Sequence, residues 1–389
     1  MQKPQGLELI FSYGFRPLFL LLVVHAIAVV LYWALYWAGI APFAVGRNPI
    51  LWHGHEMLNG FAGAAIGGFL LTAVANWTGR PAVSGWPLMF LCFLWVGGRL
   101  SLGSAMLAAA FDIGYWLLLL LLVGNEILRA GNRRNYKLVV VLAAMLLLDT
   151  AWHYAELRQP ALQRQFLWAQ LWLVVLLVTI IGGRVIPAFT GNWLRRQVAH
   201  QAVASVPARM PTAFNSFDLL AIVALLMFAL CTLFPVPGNV ALTIGLFAAI
   251  LHALRLFRWL GHLTLSDPLV WMLHLSYAWI PIGIALMAFA SVAWLAPSAG
   301  IHALTTGAIA GMVVSMSSRA ALGHTNRALR AHPLLTGSIL LLNVTAILRV
   351  GASVANFPEL ITFSAGTWMG AFLCFGFVYV PILLGPPKN

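Results

Sequence analysis

The feature that most constrains this chain is a succession of long apolar segments that recur from residue 17 to residue 385. About 20 consecutive apolar residues are enough for a helix to cross the hydrocarbon core of a bilayer. Because lipid offers no hydrogen-bond partner to the backbone, such segments must satisfy their own polar groups, which favours helices. The chain is 62% hydrophobic and only 8% charged, which excludes an ordinary soluble protein. The sequence therefore predicts an all-α polytopic membrane protein.

We predict about twelve transmembrane helices in one bundle and a single integral membrane domain over residues 1–389. The expected spans are 17–39, 53–76, 84–101, 104–124, 137–156, 166–187, 214–234, 239–259, 269–291, 301–318, 334–349 and 366–385. A polar, basic connection at 184–213 is expected to separate helices one to six (17–187) from helices seven to twelve (214–385). The first apolar segment lacks a small-residue cleavage site, so we expect a helix there rather than a removed signal peptide.

The distribution of basic residues predicts the orientation of these helices. If the amino terminus is cytoplasmic, all but Arg47, Arg99, Arg158, Arg164 and Arg349 of the 22 Lys and Arg residues fall at the termini and cytoplasmic loops. Cytoplasmic loops of membrane proteins carry such an excess of Lys and Arg. Both termini are therefore predicted to be cytoplasmic. The net charge of +13 is explained by these loops, and no nucleic-acid partner is expected.

Several potential metal ligands lie at the predicted start of helix two. Two histidines, a glutamate and a methionine occur there in the stretch Trp52-His53-Gly54-His55-Glu56-Met57. Imidazole suits copper, iron and zinc, and a thioether favours soft Cu(I). On a regular helix the two histidines lie about 200° apart, so only one of them can face a given metal ion. The alternative is a polar helix end with hydrogen-bonded histidines. We predict that at least one of His53 and His55 binds a metal.

Helix ten repeats this design, because His302 opens it at the same predicted depth. We therefore predict that His302 joins His53 or His55 in one metal site. Two glycine pairs, Gly63 with Gly67 and Gly307 with Gly311, follow these histidines. Small residues at this spacing let a neighbouring backbone approach closely. We expect them to pack helices, with the flat face of a haem as the alternative.

A second site is predicted at the opposite, cytoplasmic end of the bundle. His274 lies near the start of helix nine, and His324 follows helix ten, where Arg319 and Arg327 flank it. Arginines at the cytoplasmic end of a membrane helix ordinarily serve to set its orientation. They would also bind the propionates of a haem by charge-assisted hydrogen bonds. Among the acidic residues, Asp112 falls inside an apolar span, so it pairs with an arginine or relays protons.

Several separated motifs resemble those of the NnrS family. They are Gly14-Phe15-Arg16-Pro17, the Trp52–Met57 stretch, Gly68-Phe69-Leu70-Leu71-Thr72-Ala73-Val74, Asn76-Trp77-Thr78-Gly79-Arg80-Pro81, Gly183-Arg184-Val185-Ile186-Pro187-Ala188-Phe189-Thr190, Leu273-His274-Leu275-Ser276-Tyr277-Ala278-Trp279, and the His302 and Ser318–Arg327 segments. The resemblance runs nearly from end to end. It implies a multi-pass protein of the bacterial inner membrane that contains non-covalent b-type haem and copper. It also implies a link to nitric oxide, denitrification and nitrosative stress, but it does not assign individual histidines to either metal.

The function that fits these expectations is oxidoreductase chemistry on nitric oxide, most concretely its reduction to N2O. NO is small and apolar, so it reaches a site inside the bundle through the lipid. Copper at His53, His55 and His302 beside a haem would supply two metals, and Glu56 is the predicted proton donor. A quinol is one candidate electron donor. The alternatives are a transporter of metal, haem or metal–nitrosyl species, and a sensor that binds NO without turning it over.

Overall fold

The computed structural model describes residues 6–43, 47–199 and 210–388, and helices joined by short turns make up these ranges. The α-helices are α1 (Gly6–Ile10), α2 (Phe15–Trp37), α3 (Pro49–His55), α4 (Gly63–Thr78), α5 (Trp86–Leu100), α6 (Ala105–Arg129), α7 (Tyr136–Arg158), α8 (Pro160–Ala199), α9 (Ser216–Leu233), α10 (Gly238–Phe257), α11 (Pro268–Ala290), α12 (Pro297–His302), α13 (Gly311–His324), α14 (Pro333–Val354) and α15 (Glu359–Leu384). Two π-helical segments, Glu56–Ala62 and Ala303–Ala310, join α3 to α4 and α12 to α13.

The helices confirm the predicted fold class. Within the described residues, 11 helices are long and apolar enough to cross a membrane, counting Pro49–Thr78 and Pro297–His324 each as one continuous helix. The shorter apolar helix α5 falls at the predicted third span. Each predicted span therefore corresponds to one helix, and the chain has the architecture of a multi-pass membrane protein. Its orientation and the membrane in which it resides stay predictions.

The second predicted span, which begins with α3, starts at Pro49. This is one turn earlier than predicted, because Asn48 caps the helix. The Asn48 Oδ1 atom accepts hydrogen bonds from the backbone N–H groups of Ile50 (3.1 Å) and Leu51 (3.2 Å). Proline at the first helical position fits there, since its missing N–H would have no partner in the helix. His53 and His55 consequently lie more than a turn inside the helix rather than at its opening.

The largest difference from the predicted topology concerns the connection at 184–213. Helix α8 continues through its first half and ends at Ala199, so the expected loop is helical over 184–199. The physical reason is packing: Trp193 and Leu194 form a buried cluster with Val270 of α11. The extension therefore has an apolar face that loop propensity alone does not reveal. The predicted loop residues 200–209 lie outside the described residues.

The described chain divides into two compact units. Unit 1 contains the residues up to Leu173, Ser317–Ala328 and the residues from Phe372 onward; unit 2 contains Val174–Met316 and Leu329–Ala371. Unit 1 holds helices α1 to α7 with the first part of α8, and unit 2 holds the rest of α8, α9 to α12 and α14. The prediction of a single membrane domain concerns folding, and it stays a prediction.

The glycine pairs pack helices, as predicted. In unit 1 a Cβ atom on Gly67 would clash with the hydroxyl of Tyr115 on α6. In unit 2 a Cβ atom on Gly307 would clash with the indole of Trp279, and one on Gly311 would lie 2.6 Å from the Ser276 Oγ. These glycines let side chains of neighbouring helices reach the backbone, and those side chains fill the space that the alternative reading gave to a haem.

Candidate metal centre

Unit 1 encloses a cluster of ionisable side chains inside apolar helices. Its members are His25, Arg47, His55, Glu56, Arg99, Asp112, Asp149, His153 and Glu156. Asp149 is fully buried, and Asp112, His55 and His153 are at most 3% exposed. Ionisable groups at membrane depth are expensive to bury and are therefore mostly functional. This cluster is the candidate site of the protein.

Helix α7 supplies one side of the cluster through the spacing of its residues. Asp149, His153 and Glu156 are separated by four and three positions, which places them on one helix face. The His153 Nε2 atom lies 3.7 Å from an Asp149 carboxylate oxygen, and its Nδ1 atom lies 3.7 Å from Glu156. The chain thus presents an imidazole between two carboxylates along a single stripe of α7.

Helices α3 and α6 contribute the side chains that face this stripe of α7, namely His55 and Asp112. The His55 Nε2 atom lies 2.9 Å from Asp149 Oδ1, and the His153 Nε2 atom lies 3.4 Å from Asp112 Oδ2. One potential ligand atom each of His55, Asp112 and His153 lies within 4.8 Å of the other two. Two imidazoles and a carboxylate at this separation form a donor set for a first-row transition metal. The structure therefore contains a buried His/Asp group whose ligand atoms lie close enough together to hold a metal ion.

Arg99 fixes the carboxylates on the other side of this group. Its Nε atom lies 2.7 Å from Glu56 Oε2, and its Nη2 atom donates a 2.7 Å hydrogen bond to Asp112 Oδ1. Asp112 therefore pairs with an arginine, which is one of the two roles that its position inside an apolar span predicted. Arg47 makes a similar ion pair, with its Nε atom 3.2 Å from Glu156 Oε1.

The carboxylates of this cluster outnumber its guanidinium groups. With Glu56, Asp112, Asp149 and Glu156 ionised and the imidazoles neutral, Arg47 and Arg99 leave two negative charges uncompensated. An uncompensated buried charge is strongly destabilising. Neither ring nitrogen of His153 nor the Asp149 Oδ2 atom has a hydrogen-bond partner of normal geometry. A divalent cation would satisfy both the charge and these polar atoms.

Aromatic stacking separates the two histidines of the Trp52–Met57 stretch. The His55 ring stacks on Trp152 of α7 with a centroid distance of 3.9 Å, whereas His53 stacks on Trp33 of α2 at 4.4 Å. The two imidazoles therefore contact different helices, as the angular argument predicted. His55 belongs to the metal-like group, whereas His53 packs on Trp33 of α2.

The π-helical segment Glu56–Ala62 receives side chains from neighbouring helices. His25 of α2 lies with its Nε2 atom 3.1 Å from the Glu56 carbonyl oxygen, and Trp95 of α5 donates a 3.1 Å hydrogen bond to the Gly60 carbonyl. A Cβ atom on Gly60 would clash with the His25 ring, so glycine is required for this approach. Single π-turns inside α-helices are frequent at functional sites.

Comparison with protein families identifies the chain. The model of the NnrS protein family matches residues 9–386, nearly the whole sequence. The chain belongs to the NnrS family. No curated protein matches it significantly.

In this NnrS protein, the predicted ligand His302 lies in unit 2 at the end of α12, directly before the second π-helical segment. Its Nδ1 atom lies 2.8 Å from the Ser298 carbonyl oxygen, an arrangement that places the ring N–H on Nδ1 and the lone pair on Nε2. Ser353 of α14 donates a hydrogen bond to the Ser298 hydroxyl and extends this polar contact. The structure thus orients His302 within unit 2, and its membership of a site with His53 or His55 stays a prediction.

The predicted haem ligand His274 is also oriented by its own helix. Its Nδ1 atom lies 3.1 Å from the Val270 carbonyl oxygen, one turn earlier in α11. Its Nε2 atom lies 3.3 Å from the Thr190 hydroxyl on α8. A histidine that donates one N–H to a backbone carbonyl presents its other nitrogen as metal-binding histidines do.

The other residues of the predicted haem site lie at the end of α13, in unit 1. His324 packs its ring against Tyr13 and Phe15 with centroid distances of 5.3 and 5.7 Å. Arg327 donates hydrogen bonds to the carbonyl oxygens of Thr325 (3.4 Å) and Pro386 (3.3 Å). Arg327 therefore holds the carboxyl-terminal segment of the NnrS chain from the turn that follows α13, and Arg319 lies within α13. A role of these residues in haem binding stays a prediction.

Several site residues of this NnrS protein were missed as ligands by sequence reasoning. His153, Asp112 and Asp149 belong to the metal-like group or contact it. The sequence predicted an arginine pair or a proton relay for Asp112, and it named neither His153 nor Asp149 as a ligand. The available signal was the spacing of Asp149, His153 and Glu156 on one face of a predicted membrane helix. His25 had no such signal, because its partner Glu56 lies 31 residues away.

Proposed function

We propose that this NnrS protein is an oxidoreductase that reduces nitric oxide to N2O at a metal centre held by His55, Asp112 and His153. The observation that carries the proposal is the buried group of two imidazoles and a carboxylate, within an anionic cluster, in a member of this family. An apolar gas such as NO reaches such a depth through lipid and packed helices without a polar channel. Glu56, the predicted proton donor, lies at the edge of the same cluster.

The donor set supports a divalent redox metal. Imidazole and carboxylate ligands suit copper(II) and iron(II), whereas soft Cu(I) prefers sulfur ligands. We propose copper as the resident ion, as the family resemblance implies, and we assign its ligands to His55, Asp112 and His153 rather than to the predicted set of His53, His55 and His302. When bound, the redox metal would supply the electron-transfer chemistry of the reaction.

The protein's own residues would prepare this chemistry. Reduction of two NO molecules to N2O and water consumes two electrons and two protons, so the site needs a proton donor beside it. Glu56, which pairs with Arg99 at rest, would take up a proton and deliver it to the site, since a carboxyl group in an apolar site binds a proton more readily than one in water. Arg99 would hold Glu56 and Asp112 at fixed positions, and Trp152 would hold the plane of the His55 ring.

We also propose a b-type haem, which His274 would hold. The contact of its Nδ1 atom with the Val270 carbonyl supports this role, because it fixes the ring orientation. Binding would require the Thr190 hydroxyl to move from the Nε2 atom. A haem would supply the entry point for electrons from a donor in the bacterial inner membrane, for which a quinol is our candidate.

The decisive experiment adds NO anaerobically to purified, reduced protein and measures metal content, haem absorbance and N2O together. We expect stoichiometric metal and catalytic N2O release in the wild type. His55→Ala and His153→Ala should lose the metal and the N2O release. Glu56→Gln should keep the metal and lose most N2O release, because the metal ligands stay in place but the proton donor is removed.

Two outcomes would favour the alternatives. Metal that exchanges on washing, with no N2O, would indicate a carrier, a class in which buried ionisable residues also mark the substrate path. Stoichiometric NO binding without product would indicate a sensor. His332→Ala, which replaces an exposed histidine at the start of α14, is the matched control and should leave all three readouts unchanged.

A further inference from the structure

A chain of buried amide and indole groups leads away from the candidate metal centre and has no role in the function proposed above. The Trp116 Nε1–H donates a 3.0 Å hydrogen bond to Asn59 Oδ1, and the Asn59 amide donates a 2.9 Å hydrogen bond to Gln170 Oε1. The Gln170 amide in turn donates to Asp149 Oδ1 at 3.4 Å. Four separate helical segments of unit 1 contribute to this chain.

The chemistry of its two ends fixes the direction of every hydrogen bond. An indole N–H is only a donor, and an ionised carboxylate is only an acceptor. Asn59 must therefore turn its oxygen to Trp116 and its nitrogen to Gln170. Gln170 must then turn its nitrogen to Asp149. Each amide consequently presents its positive end toward the Asp149 carboxylate.

The hydrogen bonds continue from Asp149 to His55. Asp149 Oδ1 lies 2.9 Å from the His55 Nε2 atom, and Asn59 follows His55 by four residues in the same continuous helix. Asn59, Gln170, Asp149 and His55 thus form a hydrogen-bonded row whose two end residues lie on one helix. All four are at most 2% exposed. In hydrocarbon surroundings no water competes for these groups, so the row has one favourable arrangement.

We propose that Trp116, Asn59 and Gln170 are positioning residues that orient Asp149, and through it His55, for metal binding. This inference rests on the metal centre proposed above. Hydrogen-bond partners behind a ligating histidine orient its ring, and their loss typically lowers metal affinity about 10–100-fold. These hydrogen bonds assign the orienting role to Trp116, Asn59 and Gln170, which lie outside the ligand group.

The test is a titration of purified full-length protein, stripped of metal, with Co2+ as the probe. Both the dissociation constant and the visible spectrum of bound Co2+ are measured, since the spectrum reports ligand geometry. Gln170→Met should raise the dissociation constant about 10–100-fold and change the spectrum. Asn59→Asp should act similarly, because it keeps the acceptor for Trp116 but removes the donor to Gln170.

Trp116→Phe is the mildest variant, since it keeps an aromatic ring and removes only the terminal donor. It should raise the Co2+ dissociation constant less than Gln170→Met, and it serves as the test if Gln170→Met does not fold. Asn343→Leu is the matched control. Asn343 accepts a 2.8 Å hydrogen bond from the Trp279 indole in unit 2. It therefore has the same kind of Trp–Asn contact but is not part of the hydrogen bonds that lead to Asp149.

The outcomes separate this inference from the proposed centre. Wild-type affinity and spectrum in both Gln170→Met and Trp116→Phe would overturn the positioning role while leaving the centre intact. Equal losses in Asn343→Leu and Gln170→Met would also overturn it, because they would indicate a general loss of stability. Co2+ binding by the wild type that does not depend on His55 and His153 would overturn the centre itself.

Discussion

Replacing Arg99 with glutamine tests whether the ionic cluster of unit 1 is as tightly coupled as its geometry indicates. Arg99 bridges Glu56 and Asp112 at 2.7 Å each, and its side chain is 8% exposed. The substitution leaves two carboxylates without their shared cation and raises the excess negative charge of the cluster by one. The metal-free protein should therefore lose stability, and it should recover part of it in Arg99→Gln/Asp112→Asn.

The expected magnitude follows from the burial of the pair. Removing one partner of a buried ion pair costs about 3–5 kcal/mol, because the other charge stays buried and uncompensated. Arg80→Gln is the matched control, since Arg80 pairs with Glu126 but its side chain is 37% exposed. An exposed ion pair contributes only about 0–1 kcal/mol.

The assay is reversible unfolding of the chelator-treated protein in mixed micelles, followed by tryptophan fluorescence. The free energy of unfolding of Arg99→Gln is compared with that of the wild type, Arg80→Gln and the double variant. A loss below about 1 kcal/mol in Arg99→Gln, equal to that in Arg80→Gln, would refute the reasoning. It would mean that water reaches Glu56 and Asp112 and that the cluster is not desolvated.

Three further predictions concern other parts of the chain. Arg255→Gln in unit 2 should lower the free energy of unfolding by about 3–5 kcal/mol, because it leaves the fully buried Asp218 without its 2.5 Å partner. Gly67→Leu should lower the thermal unfolding midpoint, with a cost of about 1–3 kcal/mol or more, because the larger side chain clashes with the facing helix α6. His53→Ala should keep its metal by elemental analysis, whereas His55→Ala should lose it, since the metal-like group consists of His55, Asp112 and His153.

The sequence predicted the number and order of the long helices well. Apolar length is a local property, and a backbone in lipid has few alternatives to a helix. Prediction failed where tertiary contacts decide the backbone. The extension of α8 to Ala199 depends on Trp193 and Leu194 packing on Val270, and the π-turn after His55 coincides with contacts from His25 and Trp95. Neither the sequence of the α8 extension nor that of the π-helical segment contains a pattern that predicts these contacts.

The candidate site shows the same division. The sequence by itself determined that imidazoles and carboxylates lie inside membrane helices, because a charge in an apolar segment is visible without any structure. It also separated His53 from His55 by their angle on a helix. Only the tertiary structure decided that His55 meets Asp112 and His153, residues 57 and 98 positions away in a chain of 389. The physical reason is that helix periodicity fixes which residues share a face, whereas side-chain packing between helices fixes which faces meet.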